Sequence, residues 1–305
     1  MAPNSGVSTT VVRVRRLPVI VIIAALAAVL LPFSDVLAAD PVLVGAGDIA
    51  NCSRSQDEAT ARLLDSISGT VFTAGDNVYT HASASEFTNC YGPTWGRHKS
   101  RTRPAAGDED YNTAGAAGYF GYFGSKAGSP GKGYYSFSVG GWHAVVLNTD
   151  CSDAGGCGST SPQANWLRSD LAAHPTTCTI AIFHHPRFSS AQSKPDGRSV
   201  TFWQILYSSG ADVIVSGHRH HYERFAPQTS TGAASSKGIR EFVVGTGGAS
   251  LTGFSTVAPN SQVRNSSTYG VLKLTLHSSS YDFAFVPIAG RSFTDSGSAS
   301  CHGKP

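Results

Sequence analysis

Residues 213–224 combine a short apolar run with a glycine and three histidines. They read Val213-Ile214-Val215-Ser216-Gly217-His218-Arg219-His220-His221-Tyr222-Glu223-Arg224. The β-branched run predicts a short buried strand that ends at the glycine. His218 and His220 stand two positions apart just past this strand, so both can point into one cleft. Because neutral imidazole is the commonest metal ligand in proteins, the spacing indicates a candidate metal site.

Four other predicted strands end in a similar way. The strands 41–46, 70–74, 103–106 and 178–183 are each followed by an acidic residue or a histidine. With the two histidines above, the residues collected at strand ends are Asp48, Asp76, Tyr79, Asp108, His184, His218 and His220. Strand, helix and strand alternate near the start of the chain, and α/β folds place their chemistry at the carboxyl ends of strands. We therefore expect these residues to meet along one edge of a sheet.

Seven ligands of these types exceed the needs of a single metal ion. Two ions about 3.5–4 Å apart, bridged by one carboxylate, would use all of them. Such a pair clamps a phosphoryl group and lowers the pKa of a bound water, and the resulting hydroxide attacks phosphorus in line. Oxygen and nitrogen ligands without thiolate suit iron, zinc or manganese.

The motifs resemble the five motif blocks of the calcineurin-like metallophosphoesterases. The blocks are Gly47-Asp48, Gly75-Asp76-x-x-Tyr79, the segment led by Gly107, His184-x-Pro186 and Gly217-His218-x-His220-x-Tyr222-Glu223-Arg224. Because Tyr79 follows Asp76 by three residues, the chain resembles the purple acid phosphatase branch of this family in particular. It also resembles secreted bacterial members of alkaline or acid phosphatase type. Covering about residues 40–290, the resemblance implies an α/β (α+β) fold, a four-layer αββα sandwich of two mixed sheets flanked by helices.

The resemblance also implies a role for each motif residue. The first metal, ferric iron in the family, would be held by Asp48, Asp76, Tyr79 and His220, with Asp76 as the bridge. The second metal, ferrous iron, zinc or manganese, would be held by Asp108, His184 and His218. The implied enzyme is a metal-dependent hydrolase of phosphomonoesters that acts on small phosphate esters. Phosphodiester or nucleotide hydrolysis at the same site is the alternative.

Residues 107–110 depart from the family pattern, which has Gly-Asn-His followed by Asp or Glu. Asp108 can still bind metal through oxygen, but it brings a negative charge. Glu109 replaces a histidine that lies over the substrate in the family, so it would repel a phosphate dianion unless its pKa is raised. Glu109 and His185, which is next to a ligand, are the candidate catalytic residues. The substitution leaves two interpretations: hydrolysis that uses a carboxylic acid, or a weakly catalytic metal-binding homologue.

Residues 1–39 resemble an export signal. Arg13, Arg15 and Arg16 precede an apolar run from Leu17 to Leu31, and residues 36–39 supply a small-residue cleavage site. The apolar run is short for a membrane span, although an uncleaved anchor is the alternative. Cleavage changes the 23 basic and 20 acidic residues to 20 and 19, which indicates no nucleic-acid partner. We expect a secreted or periplasmic protein whose residues 40–305 form one catalytic domain with no stable membrane span.

Six cysteines follow the predicted cleavage site: Cys52, Cys90, Cys151, Cys157, Cys178 and Cys301. An even number in an exported chain predicts three disulfides, for which fifteen connectivities exist. Cys151 and Cys157 are the favoured local pair, followed by Cys52 with Cys90 and Cys178 with Cys301. A zinc site is the competing interpretation, although the chain has no C-x-x-C pair.

Overall fold

The computed structural model of this protein describes residues 1–15, 17 and 39–303. Residues 1–15 form no helix or strand. Nearly all of the apolar run of the predicted export signal, and residues 36–38 of its cleavage site, lie outside the described residues. Ala39–Pro305 form one compact unit. None of the described helices has the length and apolar character needed to cross a bilayer.

Fifteen strands are found in the described residues. In chain order they are β1 (Val42–Ala46), β2 (Ala50–Asn51), β3 (Thr70–Ala74), β4 (Val78–Tyr79), β5 (Thr102–Ala105), β6 (Tyr135–Val139), β7 (Trp142–Val146), β8 (Thr179–Ile182), β9 (Val213–Ser216), β10 (Tyr222–Phe225), β11 (Arg240–Val244), β12 (Ser261–Asn265), β13 (Gly270–Leu276), β14 (Ser280–Pro287) and β15 (Asp295–Ser300). The α-helices are α1 (Gln56–Ser66), α2 (Ala84–Glu86), α3 (Ala117–Phe123), α4 (Pro162–Ala173) and α5 (Val200–Ser209).

Two mixed sheets make up the centre of the fold. The first has the order β15-β14-β13-β1-β3-β5, and the second has the order β12-β10-β11-β9-β8-β7-β6. Strands β1, β3 and β5 run parallel, as do β7, β8, β9 and β11, while the outer pairs are antiparallel. The parallel segments explain why several carboxyl ends lie on the same side of each sheet.

The alternation of side chains along β9 shows how the layers pack. Val213 and Val215 are buried in a core shared with Leu43 and Val44 of the first sheet. Ile214 points to the opposite face and packs in a second core with residues of α4 and α5, such as Leu167. Because neighbouring strand residues face opposite sides, one apolar run contacts both layers. The predicted sandwich of two mixed sheets with flanking helices is confirmed.

Helix α4 begins as its sequence predicts, whereas α1 does not. The hydroxyl of Ser161 accepts a hydrogen bond from the backbone N–H of Ala164 at 3.2 Å, which caps α4. Ser55 precedes α1 and Glu58 follows three residues later, a pattern that predicts a capping box, but the side chain of Ser55 makes no capping hydrogen bond. Glu58 instead pairs with Arg62 and Arg97 at 3.0 and 2.6 Å.

Two segments are more regular than the sequence suggests. Residues 112–133 are rich in glycine, alanine and aromatic residues, a composition that predicts an irregular loop, but they include α3, in which Tyr119, Phe120 and Phe123 are buried. These aromatic residues share one helical face, which compensates for the weak helix propensity of the surrounding glycines. The polar tail contains β15, which pairs with β14 and continues to the disulfide at Cys301. Its serines and glycines have low strand propensity, so the ordering comes from the edge of β14.

The cysteines pair as favoured by the sequence. The three disulfides are Cys52–Cys90, Cys151–Cys157 and Cys178–Cys301, and no described cysteine is free. The competing interpretation, a cysteine zinc site, is therefore wrong. Of the three bonds, Cys178–Cys301 spans the largest separation in the chain, 123 residues, and ties β15 to the start of β8.

Candidate metal centre

The predicted ligands meet between two sheets rather than along the edge of one. Asp48, Asp76 and Asp108 follow β1, β3 and β5 of the first sheet, whereas His184 and His218 follow β8 and β9 of the second. The expectation of a single edge was wrong because both sheets end their parallel strands on the same side of the sandwich. A hydrogen bond across the two sheets joins His184 Nδ1 to the backbone carbonyl of Ala74 at 2.8 Å.

Three of these residues have unusual backbone conformations. Asp48, Asp76 and His218 have φ angles of 59°, 48° and 65°, which lie in the left-handed region that residues other than glycine rarely adopt. Such conformations persist only where the surroundings hold them, and they occur often at functional sites. Gly107 permits the close packing here, because a Cβ at this position would lie 2.2 Å from Asp76 Oδ1.

The first cluster consists of Asp48, Asp76, Tyr79 and His220. The Tyr79 hydroxyl lies 3.0 Å from Asp48 Oδ1, 2.8 Å from Asp76 Oδ2 and 3.3 Å from His220 Nε2. His220 Nε2 is also 3.1 Å from Asp48 Oδ1. Two carboxylates, an imidazole and a phenol therefore converge at separations that suit ligands of one metal ion.

The second cluster surrounds one oxygen of Asp108. Its Oδ1 lies 2.9 Å from His184 Nε2, 3.0 Å from His218 Nδ1 and 3.2 Å from His185 Nε2. Burial raises the pKa of Asp108, but the close approach of the three imidazoles outweighs it and holds this pKa well below its usual range. The sequence predicts the first two histidines as ligands; the structure adds His185 to the same group.

Asp76 contacts members of both clusters. One carboxylate oxygen, Oδ2, accepts the hydrogen bond from Tyr79, while Oδ1 lies 3.2 Å from His184 Nε2. Oδ1 also accepts a hydrogen bond from the backbone N–H of Glu109 at 2.9 Å. The two oxygens of one buried side chain thus face the two clusters, as a bridging carboxylate would.

The family described as Calcineurin-like phosphoesterase matches residues 23–222. The chain belongs to the calcineurin-like phosphoesterase family. Among curated proteins, Purple acid phosphatase 18 of Arabidopsis thaliana is 31% identical over 165 residues, which make up 51% of this chain and 35% of that protein. This phosphoesterase therefore spans about a third of the relative's length, and the match agrees with the predicted purple acid phosphatase branch.

Solved structures with a similar fold include one phosphatase and one membrane-complex anchor. The purple acid phosphatase PPD1 from yellow lupin (Lupinus luteus) has a TM-score of 0.61 and 19% identity, covering 85% of this chain and 53% of that one. GAP50, the anchor in the inner membrane complex of Plasmodium, has a TM-score of 0.67 and 14% identity, with 88% and 90% covered. Identities this low show the fold alone.

Two imidazoles of the centre direct Nε2 at the carboxylates. A backbone carbonyl only accepts hydrogen bonds, so Nδ1 of His184 donates to Ala74 and Nδ1 of His220 donates to Ser250, at 2.8 and 2.7 Å. Nε2 of each ring is then directed at carboxylate oxygens, where it binds either a proton or a metal ion. His184 Nε2 is buried and has no hydrogen-bond partner among the described residues. A cation between these atoms would satisfy both the imidazoles and the carboxylates.

The charge of the site supports the same conclusion. Burial lowers the pKa of His220, but the carboxylate of Asp48 outweighs it and raises that pKa to about 9. The raised pKa of His220 reflects an excess of negative charge from the carboxylates of the centre, which a bound cation would compensate. The oxygen and nitrogen donors also suit a transition-metal ion. The family implies a dinuclear metal site, and the two clusters are its candidate positions.

His185 is buried and held on both ring nitrogens. Its Nδ1 lies 2.9 Å from the hydroxyl of Thr149, and its Nε2 accepts a hydrogen bond from Arg198 Nη1 at 2.6 Å. Burial lowers the pKa of His185 to about 3, so the ring is neutral. The position of His185 next to a predicted ligand makes it a catalytic candidate; its surroundings show a fixed side chain that contacts Asp108.

Glu109 lies at the edge of the centre. Its backbone contacts Asp76, but its Oε2 accepts a hydrogen bond from Asn112 at 2.6 Å. Burial, followed by the charges of Asp76 and Asp108, raises the pKa of Glu109. This direction is the one that a carboxylic acid needs in order to donate a proton near neutral pH. Its predicted catalytic role stays a prediction.

Several supporting contacts were missed by the sequence analysis. The carbonyls of Ala74 and Ser250 orient two imidazoles, but backbone groups leave no signature in a sequence. Arg198 lies in a polar loop that carries no motif. In the segment 222–224, Tyr222 and Arg224 both bind Asp295, at 2.8 and 2.7 Å, whereas Glu223 lies 3.3 Å from Nε2 of His221, which is next to His220.

Proposed function

We propose that this chain is an exported phosphatase that hydrolyses phosphomonoesters of small molecules at a dinuclear metal centre. The observation that supports the proposal is the position of Asp76, whose two oxygens face two separate clusters of metal-binding side chains. Family membership supports phosphoester hydrolysis in general. The preference for monoesters, the metals and the export are inferred from the sequence motifs.

The proposed ligand sets are those of the sequence analysis. Ferric iron would be held by Asp48, Asp76, Tyr79 and His220. Ferrous iron, zinc or manganese would be held by Asp76, Asp108, His184 and His218. When bound, two such ions stabilise charge on the phosphoryl oxygens and lower the pKa of the attacking water.

The side chains of the protein then orient the reaction. The oxygen of water forms a bond to phosphorus, the bond from phosphorus to the ester oxygen breaks, and the departing oxygen takes a proton. Glu109 is the proposed donor of this proton, because its backbone is fixed on Asp76 and its side chain can turn from Asn112 towards the centre. His185 holds Asp108 and Arg198 in place from its buried position.

Export is proposed from the beginning of the chain and from the cysteines. Residues 1–39 would be removed as a signal peptide, leaving residues 40–305 as one catalytic domain. Three disulfides are typical of proteins that fold in oxidising compartments, which supports a secreted or periplasmic location.

Phosphodiester hydrolysis is the second candidate, and Glu109 is the observation in its favour. A carboxylate beside Asp76 and Asp108 adds negative charge close to the substrate position. A diester carries one negative charge, whereas a monoester dianion carries two, so repulsion from Glu109 would disfavour the monoester more.

One set of measurements tests the proposal. The purified mature chain is analysed for metal content and visible absorbance, and then assayed with nitrophenyl phosphate and bis-nitrophenyl phosphate from pH 4 to pH 10, with and without a chelator. About two metal ions per chain and chelator-sensitive turnover that favours the monoester are expected. Preference for the diester would establish the second candidate. A fully metallated protein that turns over neither compound would instead be a metal-binding homologue.

A further inference from the structure

Arg219 lies between the two histidines of the 218–220 segment and has a guanidinium without a partner. Its Nε is buried and makes no hydrogen bond to any described residue. The described part of the chain also shows no ion pair to its side chain. Guanidinium groups favour bidentate contacts with phosphate or carboxylate, so a buried nitrogen left without an acceptor suggests a missing anionic ligand.

Arg219 lines a cavity of about 380 Å³ with residues 191–197. This volume falls in the range of small-molecule sites. The cavity is linked to the second cluster in two ways. Arg198 follows the lining segment and contacts His185 at 2.6 Å, and His185 contacts Asp108 at 3.2 Å. Arg219 itself lies between His218 and His220 in the chain. A ligand bound at the metal centre therefore has this cavity as a neighbour.

The cavity carries more positive than negative charge. Its charged side chains are Lys194, Asp196 and Arg219. Asp196 is already paired with Arg198 at 3.1 Å, whereas no described residue contacts the ammonium group of Lys194. Two unpaired cations thus face the same space, next to a centre that is rich in carboxylates.

The wall of the cavity is held at several points. The backbone N–H groups of Arg187 and Phe188 donate to the buried carboxylate of Glu241 at 3.1 and 3.3 Å. The backbone N–H of Asp196 donates to the carbonyl of Arg187 at 2.8 Å, which closes the loop. The backbone segment that carries Lys194 is therefore anchored at Arg187, which reduces the ordering cost of binding.

We propose that Arg219 and Lys194 bind a second phosphate group, carried by the leaving group of the substrate. The inference rests on the proposed function, since it assumes that the scissile phosphoryl group binds at the adjacent metal centre. The substrate class is then phosphate compounds whose leaving group is itself phosphorylated: anhydrides such as diphosphates, or carbon-linked bisphosphates. A simple ester such as phenyl phosphate would leave the cavity unfilled.

The kinetic test compares kcat/KM for inorganic pyrophosphate, for a hexose bisphosphate and for phenyl phosphate. The ratio of each phosphorylated compound to phenyl phosphate should fall about tenfold or more in Arg219→Gln and in Lys194→Gln, since each variant removes one charged contact. Using a ratio cancels any loss in the step that all three compounds share. Arg291→Ala, a matched loss of charge at an exposed position, should leave the ratio unchanged.

A fall in the ratio for pyrophosphate alone assigns the site to anhydrides, and a fall in the ratio for the bisphosphate alone assigns it to carbon-linked compounds. Unchanged ratios in both cavity variants would overturn the proposal.

A binding measurement separates this proposal from the proposed function. Calorimetric titration of the protein as purified with inorganic pyrophosphate should give a Kd that is about tenfold weaker in Arg219→Gln than in the wild type and Arg291→Ala. If no phosphate compound is hydrolysed but this difference is found, the phosphatase proposal fails and the anion site stands. Equal affinities in all three proteins would refute the anion site, whatever the hydrolysis assays show.

Discussion

The Nε2 atom of His184 lies 2.9 Å from Oδ1 of Asp108, yet it has no hydrogen-bond partner within the described structure. The opposite ring nitrogen donates to the carbonyl of Ala74, so a neutral ring has only a lone pair to offer the carboxylate. Two electron-rich atoms at this separation repel each other unless a proton or a metal ion lies between them. Burial lowers the pKa of His184, but the carboxylates of Asp76 and Asp108 outweigh it and raise that pKa, so the position favours positive charge. The relationship thus makes Asp108 a specific test of metal binding, although its family counterpart is asparagine.

Asp108→Ala should lower the metal content from about two ions per chain to about one. The variant removes the oxygen shared by three imidazoles, while Asp48, Asp76 and His220 keep the first site intact. Asp108→Asn keeps an oxygen ligand and should retain about two ions with weaker binding at the second site. The measurement is elemental analysis after dialysis. Full metal content in Asp108→Ala would show that this side chain is not a ligand.

Tyr79→Phe should remove visible absorbance from the iron-loaded protein. The Tyr79 hydroxyl lies within 3.3 Å of Asp48, Asp76 and His220, where its phenolate would bind ferric iron. Burial, and then the charges of Asp48 and Asp76, raise the pKa of this hydroxyl, so only a cation would bring it to the phenolate form. Absorbance and iron content are measured together. Colour that persists in an iron-containing Tyr79→Phe protein would assign the absorbance to another group.

Much of the centre is predictable from local patterns, because several of the ligands follow a strand whose apolar run is easily found. Asp48, Asp76 and His184 come directly after buried segments, and parallel strands bring their carboxyl ends together. The local sequence does not show which of these strands belong to the first sheet and which to the second. It depends on which strands pair, and pairing is a property of the whole sandwich.

The contacts that orient the ligands are harder to predict. The carbonyl of Ser250 fixes His220 from 30 residues away, and any residue can supply a carbonyl. The order of α3 and β15 was missed for a related reason: both segments are rich in glycine or serine, and their structure comes from tertiary contacts. Buried Tyr119 stabilises the first, and the edge of β14 stabilises the second.

Asp108→Asn combined with Glu109→His should raise kcat/KM for a phosphomonoester by about tenfold. The double variant removes two negative charges near the substrate and restores an imidazole in place of Glu109. The effect on a diester should be smaller, because its single charge is repelled less. Both substrates are assayed at equal metal content, with Asp153→Asn as an exposed control for loss of a carboxylate. Unchanged or lower monoester turnover would show that charge repulsion by Asp108 and Glu109 does not limit hydrolysis of the monoester.

His277→Gln should destabilise the protein more at pH 5.5 than at pH 9. Hydrogen bonds with Asp282 and then Asp40, at 3.1 and 2.7 Å, raise the pKa of His277 above its ordinary 6.5. A group whose folded pKa is raised contributes stability that is complete below the unfolded pKa and lost as pH rises through the folded pKa. The pair is exposed, so the Tm difference at pH 5.5 should be about one to two degrees. Thermal unfolding across pH, with His81→Gln as an exposed control, measures it; a difference that does not vary with pH would contradict the assignment.

Removing the Cys178–Cys301 disulfide should destabilise the fold more than removing Cys151–Cys157. The two bonds span 123 and 6 residues, so the chain-entropy model gives about 5 and about 2 kcal/mol of stabilisation. The Cys178–Cys301 bond, which closes the longer loop, also fixes the end of β15, which has little strand propensity of its own. Paired serine variants avoid free thiols, and denaturant unfolding under non-reducing conditions gives both free energies. An equal or larger loss in the Cys151–Cys157 variant would show that local strain, and not loop closure, determines what these bonds contribute.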